Sequence, residues 1–100
     1  MSTATRILTP LEYTAYATHL KRLPSDDRYC RFRSVTSNET IDTYVAALQK
    51  NPDEIVIGHY ADDLGIDGAI QVSIIDDVTQ SVRQKIAEIS MSVLPDSRGK

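Results

Sequence analysis

The chain has 100 residues, enough for one small domain with a modest hydrophobic core. Its composition of 41% hydrophobic and 25% charged residues excludes a disordered chain, and its formal charge of −3 gives no basic surface for nucleic acid. A single cysteine excludes an intrachain disulfide, and no apolar run reaches the roughly 20 residues of a membrane-spanning helix. Because residues 1–6 also lack the apolar segment of a signal peptide, we expect a soluble, cytoplasmic protein without nucleic-acid or membrane partners.

A short strand and a helix are predicted to open the chain. Residues 6–9 are β-permissive and form the expected strand. Thr9 is a good helix cap, and Pro10 fits a first helical turn because its missing N–H costs nothing there. Apolar side chains then recur at close to helical spacing, so the sequence predicts a helix over residues 10–22.

The helical pattern then breaks, and a second helix is predicted further along the chain. At the Pro-Ser-Asp-Asp break, Ser25 or Asp26 starts at most a short helical turn. Thr36 and Glu39 have the spacing of a capping box. The apolar residues that follow repeat with a helical period, which predicts a helix over residues 37–50.

After Pro52 the apolar residues alternate, which is the pattern of β-strands. Strands are predicted over residues 54–60, 68–75 and 85–94, with polar turns between them. Short connections favour antiparallel neighbours, so the fold class is α+β, with a four-stranded, mainly antiparallel sheet and two helices on one face. Alternation in the last strand gives one set, Ala87, Ile89, Met91 and Val93, and an opposite set, Ile86, Glu88, Ser90 and Ser92.

The end of the chain resembles the cofactor loop of the GNAT superfamily of N-acetyltransferases. In that family the fourth strand runs into a loop of pattern Arg/Gln-x-x-Gly-x-Gly/Ala, and a helix follows. Arg98 matches the first position of this pattern, and Gly99 and Lys100 match the next two. The order of predicted elements also resembles the first half of the family's domain. The resemblance implies that residues 1–100 are a single partial GNAT domain ending at the start of the acetyl-CoA-binding loop.

Two further segments resemble one group within the family. Tyr29, Arg31 and Phe32 have the spacing of the S-x-x-S-x-Y-x-R-F pattern found in bacterial protein-lysine acetyltransferase-like GNAT domains. The opening of the last strand, residues 87–89, is similar to the start of the fourth strand in that group. The resemblance places Tyr29 and Arg31 on the acceptor-substrate side. Packing of the segment between the helices is the alternative for both, and Phe32 is expected to be a core anchor.

This resemblance implies transfer of an acetyl group from acetyl-CoA to a primary amine, whose identity the sequence leaves open. Backbone groups at the end of the last strand would pair with the pantetheine arm like an added strand, and the N–H of Val93 would hold the thioester oxygen. The loop after the strand would begin the cradle for the pyrophosphate. The implied cofactor-binding residues are Met91, Ser92, Val93, Arg98, Gly99 and Lys100.

Glu88 is the candidate general base or water-relay residue. It is an acid in an otherwise apolar strand, where desolvation would strengthen it as a proton acceptor. The alternative is that Glu88 lies on a solvated sheet face without a catalytic role. Cys30 has no suitably spaced acidic partner to support a thiol nucleophile, and the two histidines with scattered aspartates predict no metal site.

The alternative function belongs to a different class: a truncated, catalytically inactive GNAT half-domain that acts only as an oligomeric or interaction module. Its last strand would be an unpaired edge, and one apolar face of the sheet would lack a covering layer. Exposed edges and faces of this kind drive association. We therefore expect a homodimer or higher oligomer, in which the last strand of a partner pairs with that edge.

Overall fold

The fold is built on one antiparallel sheet. The computed structural model describes residues 4–61, 65–79 and 82–98. Within these residues four strands pair in the order β1-β2-β3-β4, and every neighbouring pair is antiparallel. This confirms the predicted α+β fold class and sheet. The strands are β1 (Ala4–Ile7), β2 (Glu54–Tyr60), β3 (Ile66–Thr79) and β4 (Val82–Val93).

The described part of the chain has three α-helices between β1 and β2, whereas the sequence predicted two. None of them is long and apolar enough to cross a membrane. A short 3-10 helix precedes the first, and another follows β4. The helices are α1 (Tyr13–Lys21), α2 (Ser25–Phe32) and α3 (Asn38–Leu48), and the 3-10 helices are Pro10–Glu12 and Pro95–Ser97.

The additional helix, α2, has charges that suit both of its ends. Asp26 and Asp27 lie in the first turn, where the helix dipole favours anions, and Arg31 lies in the last turn. The chain leaves the helix at Arg33, whose φ of 59° lies in the left-handed region. The sequence predicted only a short turn here, because no apolar stripe marks this segment as a helix. The structure agrees with that pattern, since none of the eight residues of α2 is buried.

The first and last helical segments begin within one residue of their predicted starts, although the first opens with the 3-10 helix Pro10–Glu12 and α1 itself begins only at Tyr13. Glu12 accepts a hydrogen bond from the N–H of Thr9 at 3.1 Å, so Thr9 marks the start of the first helical segment as predicted. At α3 the cap is Ser37 instead of Thr36, because the Ser37 hydroxyl accepts a backbone N–H from the first turn at 3.1 Å. The capping box predicted from Thr36 is therefore wrong by one position.

The hairpin of β3 and β4 is longer than predicted. The polar residues Asp76 and Asp77 were expected in a turn, but they continue β3 and pair with Lys85 and Gln84 of β4. The tip of this hairpin, residues 80–81, lies outside the described residues. Strand pairing has therefore overridden the turn preference of aspartate.

The core lies between the helices and one face of the sheet. The buried strand positions Val56, Ala69, Gln71 and Ser92 share this face, because the register pairs Val56 with Gln71 and Ala69 with Ser92. The buried apolar residues that form the core are Leu8, Tyr13, Tyr16, Ala17, Leu20, Leu23, Ile41, Val45, Leu48, Val56, Ile66, Ala69 and Leu94.

The opposite face of the sheet is apolar, and no described helix covers it. One cross-strand row joins Ile7, Ile57, Ile70 and Met91 through the strand register. The two ends of this row are open, with Ile7 65% and Met91 64% exposed. The alternation predicted for β4 is confirmed, and its polar set faces the helices while its apolar set faces outward. We call this surface the open face.

Glu12 is held by three donors, and its titration provides a first prediction. The Arg6 guanidinium at 2.6 Å, the N–H of Thr9 and the Tyr60 hydroxyl at 2.8 Å lower the pKa of Glu12 to about 2. A carboxyl whose pKa is lower in the folded state stabilises the fold above its ordinary pKa of 4.5 and loses that contribution as pH falls towards 2.

We expect Glu12→Gln to be less stable than the unmodified chain at pH 7, and the difference to shrink steadily below pH 4.5. Urea unfolding of both proteins at several pH values between 2 and 7 measures this difference. Glu39→Gln, on the exposed first turn of α3, is the control, and its difference should vary less with pH. If the free energy of unfolding of Glu12→Gln differed from that of the unmodified chain by the same amount at pH 2 and at pH 7, the lowered pKa of Glu12 would be contradicted.

Candidate functional site

A cleft of about 320 Å³ lies between α2 and the end of β4. This cleft is lined by five of the predicted site residues, although they come from two distant segments of the chain. The cleft is lined by Leu23, Asp27, Cys30, Arg31, Met91, Ser92, Val93 and Arg98.

The end of β4 presents an unpaired edge to this cleft within the described sheet. The N–H of Leu94 donates to the carbonyl of Asp67 at 2.8 Å, so Leu94 points its backbone groups towards the chain that precedes β3. Backbone direction alternates along an antiparallel strand, so the N–H and C=O of Ser92 also face β3. The backbone groups of Met91 and Val93 therefore face the unpaired edge, where an extended ligand would pair with them.

Arg98 folds back onto this edge. Its Nε and Nη2 donate to the carbonyl of Val93 at 3.0 and 2.7 Å, which shows that this carbonyl points away from β3. Its guanidinium also lies 2.9 Å from the Asp27 carboxylate on α2. Arg98 therefore links the two walls of the cleft at its mouth. The remaining predicted loop residues, Gly99 and Lys100, lie outside the described residues.

Ser92 lines the cleft, and its side chain makes a buried contact that the sequence did not predict. Its hydroxyl lies 2.8 Å from Nε2 of His19, a histidine on α1 that is 1% exposed. The other ring nitrogen, Nδ1, lies 3.0 Å from the carbonyl of Ile66. Ser92 and His19 are 73 residues apart, so no local pattern in the sequence connects them.

Arg31 is fixed on the cleft wall by a buried hydrogen-bond network around Gln71. Its Nη2 donates to Gln71 Oε1 at 2.7 Å and to the Tyr16 hydroxyl at 3.1 Å. The amide nitrogen of Gln71 donates to the Tyr44 hydroxyl and to a Glu54 carboxylate oxygen, each at 2.7 Å. The Arg31 guanidinium is thus hydrogen-bonded to neutral groups. The carboxylate of this network belongs to Glu54, and it is linked to Arg31 through Gln71.

Tyr29 and Arg31 do not lie together, although the sequence grouped them. Residues two apart on a helix point in different directions. Tyr29 is 55% exposed and faces a separate depression beside Val35, away from β4. Of the two predicted substrate-side residues, the structure places only Arg31 in the cleft.

Glu88 is exposed and lies on the helix side of the sheet, opposite Ser73 on β3. The desolvated surroundings expected for this acid are therefore not observed. It is four residues from Ser92 on the same face, a separation of about 13 Å along a strand. Glu88 is thus solvated and lies outside the set of residues that line the cleft.

Comparison with known proteins identifies the fold. No protein-family model matches the sequence, and no curated protein is significantly similar to it. Among solved structures, an aminoglycoside acetyltransferase from an uncultured soil metagenomic sample matches with a TM-score of 0.62 at 16% identity, over 100% of this chain and 63% of that protein. A ribosomal-protein-alanine N-acetyltransferase from Brucella melitensis biovar Abortus 2308 matches with a TM-score of 0.61 at 15% identity, over 100% and 62%. The chain has the GNAT acetyltransferase fold.

A third GNAT structure agrees with this assignment. The acetyltransferase of GNAT family from Streptococcus pneumoniae matches with a TM-score of 0.57 at 12% identity, over 99% of this chain and 58% of that protein. The chain therefore spans about three fifths of the length of these GNAT structures. The predicted resemblance to the GNAT superfamily is confirmed as a fold, while the narrower resemblance to protein-lysine acetyltransferases stays a prediction.

Proposed function

We propose that this chain takes part in transferring an acetyl group from acetyl-CoA to a primary amine. The observation that supports this best is the unpaired edge of β4 at Val93, which opens into a cleft between two walls of a GNAT fold. Ser92 and Arg31 line the same cleft, and Arg98 spans its mouth. A strand edge beside a cleft suits an extended thioester ligand and an amine that approaches it from the side.

The residues at this edge fit acetyl-CoA. The N–H groups of Met91 and Val93 and the carbonyl of Met91 face outward and would pair with a pantetheine arm as an added strand does, while the Val93 carbonyl is held by Arg98. Acetyl-CoA supplies an activated acetyl group, and in this proposal the N–H of Val93 polarises its carbonyl oxygen. Arg98 brings a positive charge to the end of the strand, where it would attract the pyrophosphate, and the cofactor role proposed for Gly99 and Lys100 rests on the family resemblance alone.

Glu88 has a limited place in this proposal. It is solvated and about 13 Å along the strand from Ser92, so it reaches the cleft only through intervening water. A Glu88→Gln variant with an unchanged pH profile would remove it from the mechanism. The acceptor amine stays open, because the solved structures that share the fold include acetyltransferases named for aminoglycosides and for a ribosomal protein.

Isothermal titration with acetyl-CoA tests the proposal directly. We expect binding in the micromolar range, weakened about fivefold by Arg98→Ala, because a charge-assisted contact to the pyrophosphate is lost. Lys50→Ala is the matched control, since it removes the same charge from an exposed position two residues after α3. Absence of heat with the unmodified chain would contradict acetyl-CoA binding.

The open face favours a second candidate function, that of a non-catalytic association module. Ile89 is 66% exposed beside Val72 and Ile55 in a second apolar cross-strand row. Contiguous apolar surface of this kind marks interaction sites. A homodimer or higher oligomer would cover the face and would also pair the edge of β4.

Light scattering at micromolar concentration measures the association. We expect a dimer or larger species for the unmodified chain and a shift towards monomer for Ile89→Lys, which places a charge on the open face. Ile86→Lys is the matched control, because Ile86 is 41% exposed but lies on the opposite face of the same strand. A well-folded monomer of the unmodified chain would contradict this association.

A further inference from the structure

We propose that Ser92 and His19 form a proton relay that accepts the proton of the acceptor amine during acetyl transfer. This inference rests on the proposed function, and it assigns a proton acceptor within the cleft itself. It starts from the buried contact between the two side chains, which lies directly beside the strand edge that we propose for the thioester.

The hydrogen-bond partners fix the direction of the relay. A backbone carbonyl only accepts hydrogen bonds, so Nδ1 of His19 must carry the hydrogen that bonds the Ile66 carbonyl at 3.0 Å. In the neutral ring Nε2 is then an acceptor, and the Ser92 hydroxyl donates to it at 2.8 Å. The hydroxyl hydrogen is thus directed towards the imidazole, and the lone pairs of Oγ remain for a proton from the cleft.

Burial separates the roles of the two residues. His19 is 1% exposed and does not line the cleft, so a ligand in the cleft reaches its ring only through another group. Ser92 is 8% exposed and does line the cleft. In the proposed relay Ser92 is the catalytic residue, because it lines the cleft that the amine would enter, and His19 is the positioning residue behind it.

The surroundings of His19 favour the neutral form of its ring. Burial lowers the pKa of the imidazole, while the Ile66 carbonyl and the Asp67 carboxylate oppose this and Arg22 and Arg31 add to it. Tyr16 stacks on the ring with a centroid separation of 6.2 Å. A neutral ring has the free lone pair on Nε2 that the relay requires.

The proposed step conserves atoms and charge. As the amine nitrogen forms its bond to the acetyl carbon, its proton passes to Oγ of Ser92, and the hydroxyl proton passes to Nε2 of His19. When the carbon–sulfur bond breaks, the electron pair stays on sulfur. The departing thiolate takes a proton back through Ser92, which leaves the amide, the free thiol and a neutral His19. The neighbouring residue, Val93, supplies the N–H for the acetyl oxygen.

The relay is tested by rates and pH profiles of the chain with acetyl-CoA and three amines: an aminoglycoside, a polyamine and a peptide with a free amino terminus. Release of the thiol measures turnover, and titration with acetyl-CoA measures binding. We expect Ser92→Ala and His19→Gln each to lower kcat about 100-fold, the range of one general base, with acetyl-CoA binding within twofold of the unmodified chain. Ser92→Thr, which retains a hydroxyl, should stay within about tenfold of the unmodified kcat.

The pH profile separates a relay from a merely structural contact. The rate of the unmodified chain should fall at low pH as His19 becomes protonated, and this acidic limb should be absent in His19→Gln. Ser90→Ala, two residues away on the same face, should leave both the rate and the limb unchanged. An acidic limb retained in His19→Gln, or a stable acetyl group on Ser92 detected by mass spectrometry, would overturn the relay while leaving the proposed function intact. If no amine is acetylated by the unmodified chain, catalysis itself is overturned and the relay with it.

Discussion

Replacing Gln71 by leucine should lower the free energy of unfolding by about 3 kcal/mol, because it removes the centre of the buried network and leaves charged and polar groups without partners. Gln71 is 3% exposed, and its Oε1 accepts from both Tyr16 and Arg31. Leucine has a similar volume, so the expected loss comes from hydrogen bonding more than from a cavity. Urea denaturation at a fixed protein concentration measures it.

A matched substitution separates the network from the general effect of removing a glutamine. Gln49→Leu deletes one exposed hydrogen bond, from Gln49 to the Pro10 carbonyl at 2.8 Å, and should cost no more than about 1 kcal/mol. The double variant Gln71→Leu with Arg31→Met should recover part of the loss, since the buried charge and its partner are removed together. Equal costs for Gln71→Leu and Gln49→Leu would show that the network contributes little stability.

Replacing Val93 by proline should weaken acetyl-CoA binding by tenfold or more, because it removes the N–H proposed to hold the acetyl oxygen. That N–H faces the unpaired edge, so its loss breaks no bond between β3 and β4, and proline is tolerated at such edge positions. The Val93 carbonyl, which accepts from Arg98, is retained. Isothermal titration measures the affinity, and circular dichroism checks that the fold is kept.

Ile89→Pro is the control for this experiment. Ile89 is four residues earlier on β4, so its N–H faces the same edge about 13 Å away from that of Val93. It should perturb the strand to a similar degree but leave acetyl-CoA affinity within about twofold. Equal weakening by both prolines would mean that strand distortion, and not the Val93 N–H, accounts for the loss.

The sequence predicted the elements whose formation depends on local pattern. Alternating apolar residues after Pro52 predicted three strands, and the helical period after Thr36 predicted α3 to within a residue or two of its ends. Short connections predicted the antiparallel order, which the pairing of β1 to β4 confirms. These features could be predicted because each depends on neighbours within a few residues along the chain.

The structure brings only some of the predicted site residues together. Met91, Ser92, Val93, Arg98 and Arg31 line one cleft, and the cofactor and substrate roles that the GNAT resemblance implied for them stay predictions. Tyr29 and Glu88 lie outside it, since helix rotation turns the first away and strand length separates the second. The resemblance implied a cofactor role for the end of β4 and an acceptor-side role for Tyr29 and Arg31, and the sequence predicted a catalytic role for Glu88. Spacing along the chain does not show which direction each side chain takes in the packed fold.

The amino-acid sequence by itself thus determined the α+β class, the strand order and the alternation of β4. Only the tertiary structure decided that α2 exists, that the polar set of β4 faces the helices and that Ser92 contacts His19. The physical reason is the range of the interactions. Periodicity is set by neighbouring residues, whereas the Ser92–His19 pair and the Gln71 network join groups that folding brings together from 73 and 55 residues apart.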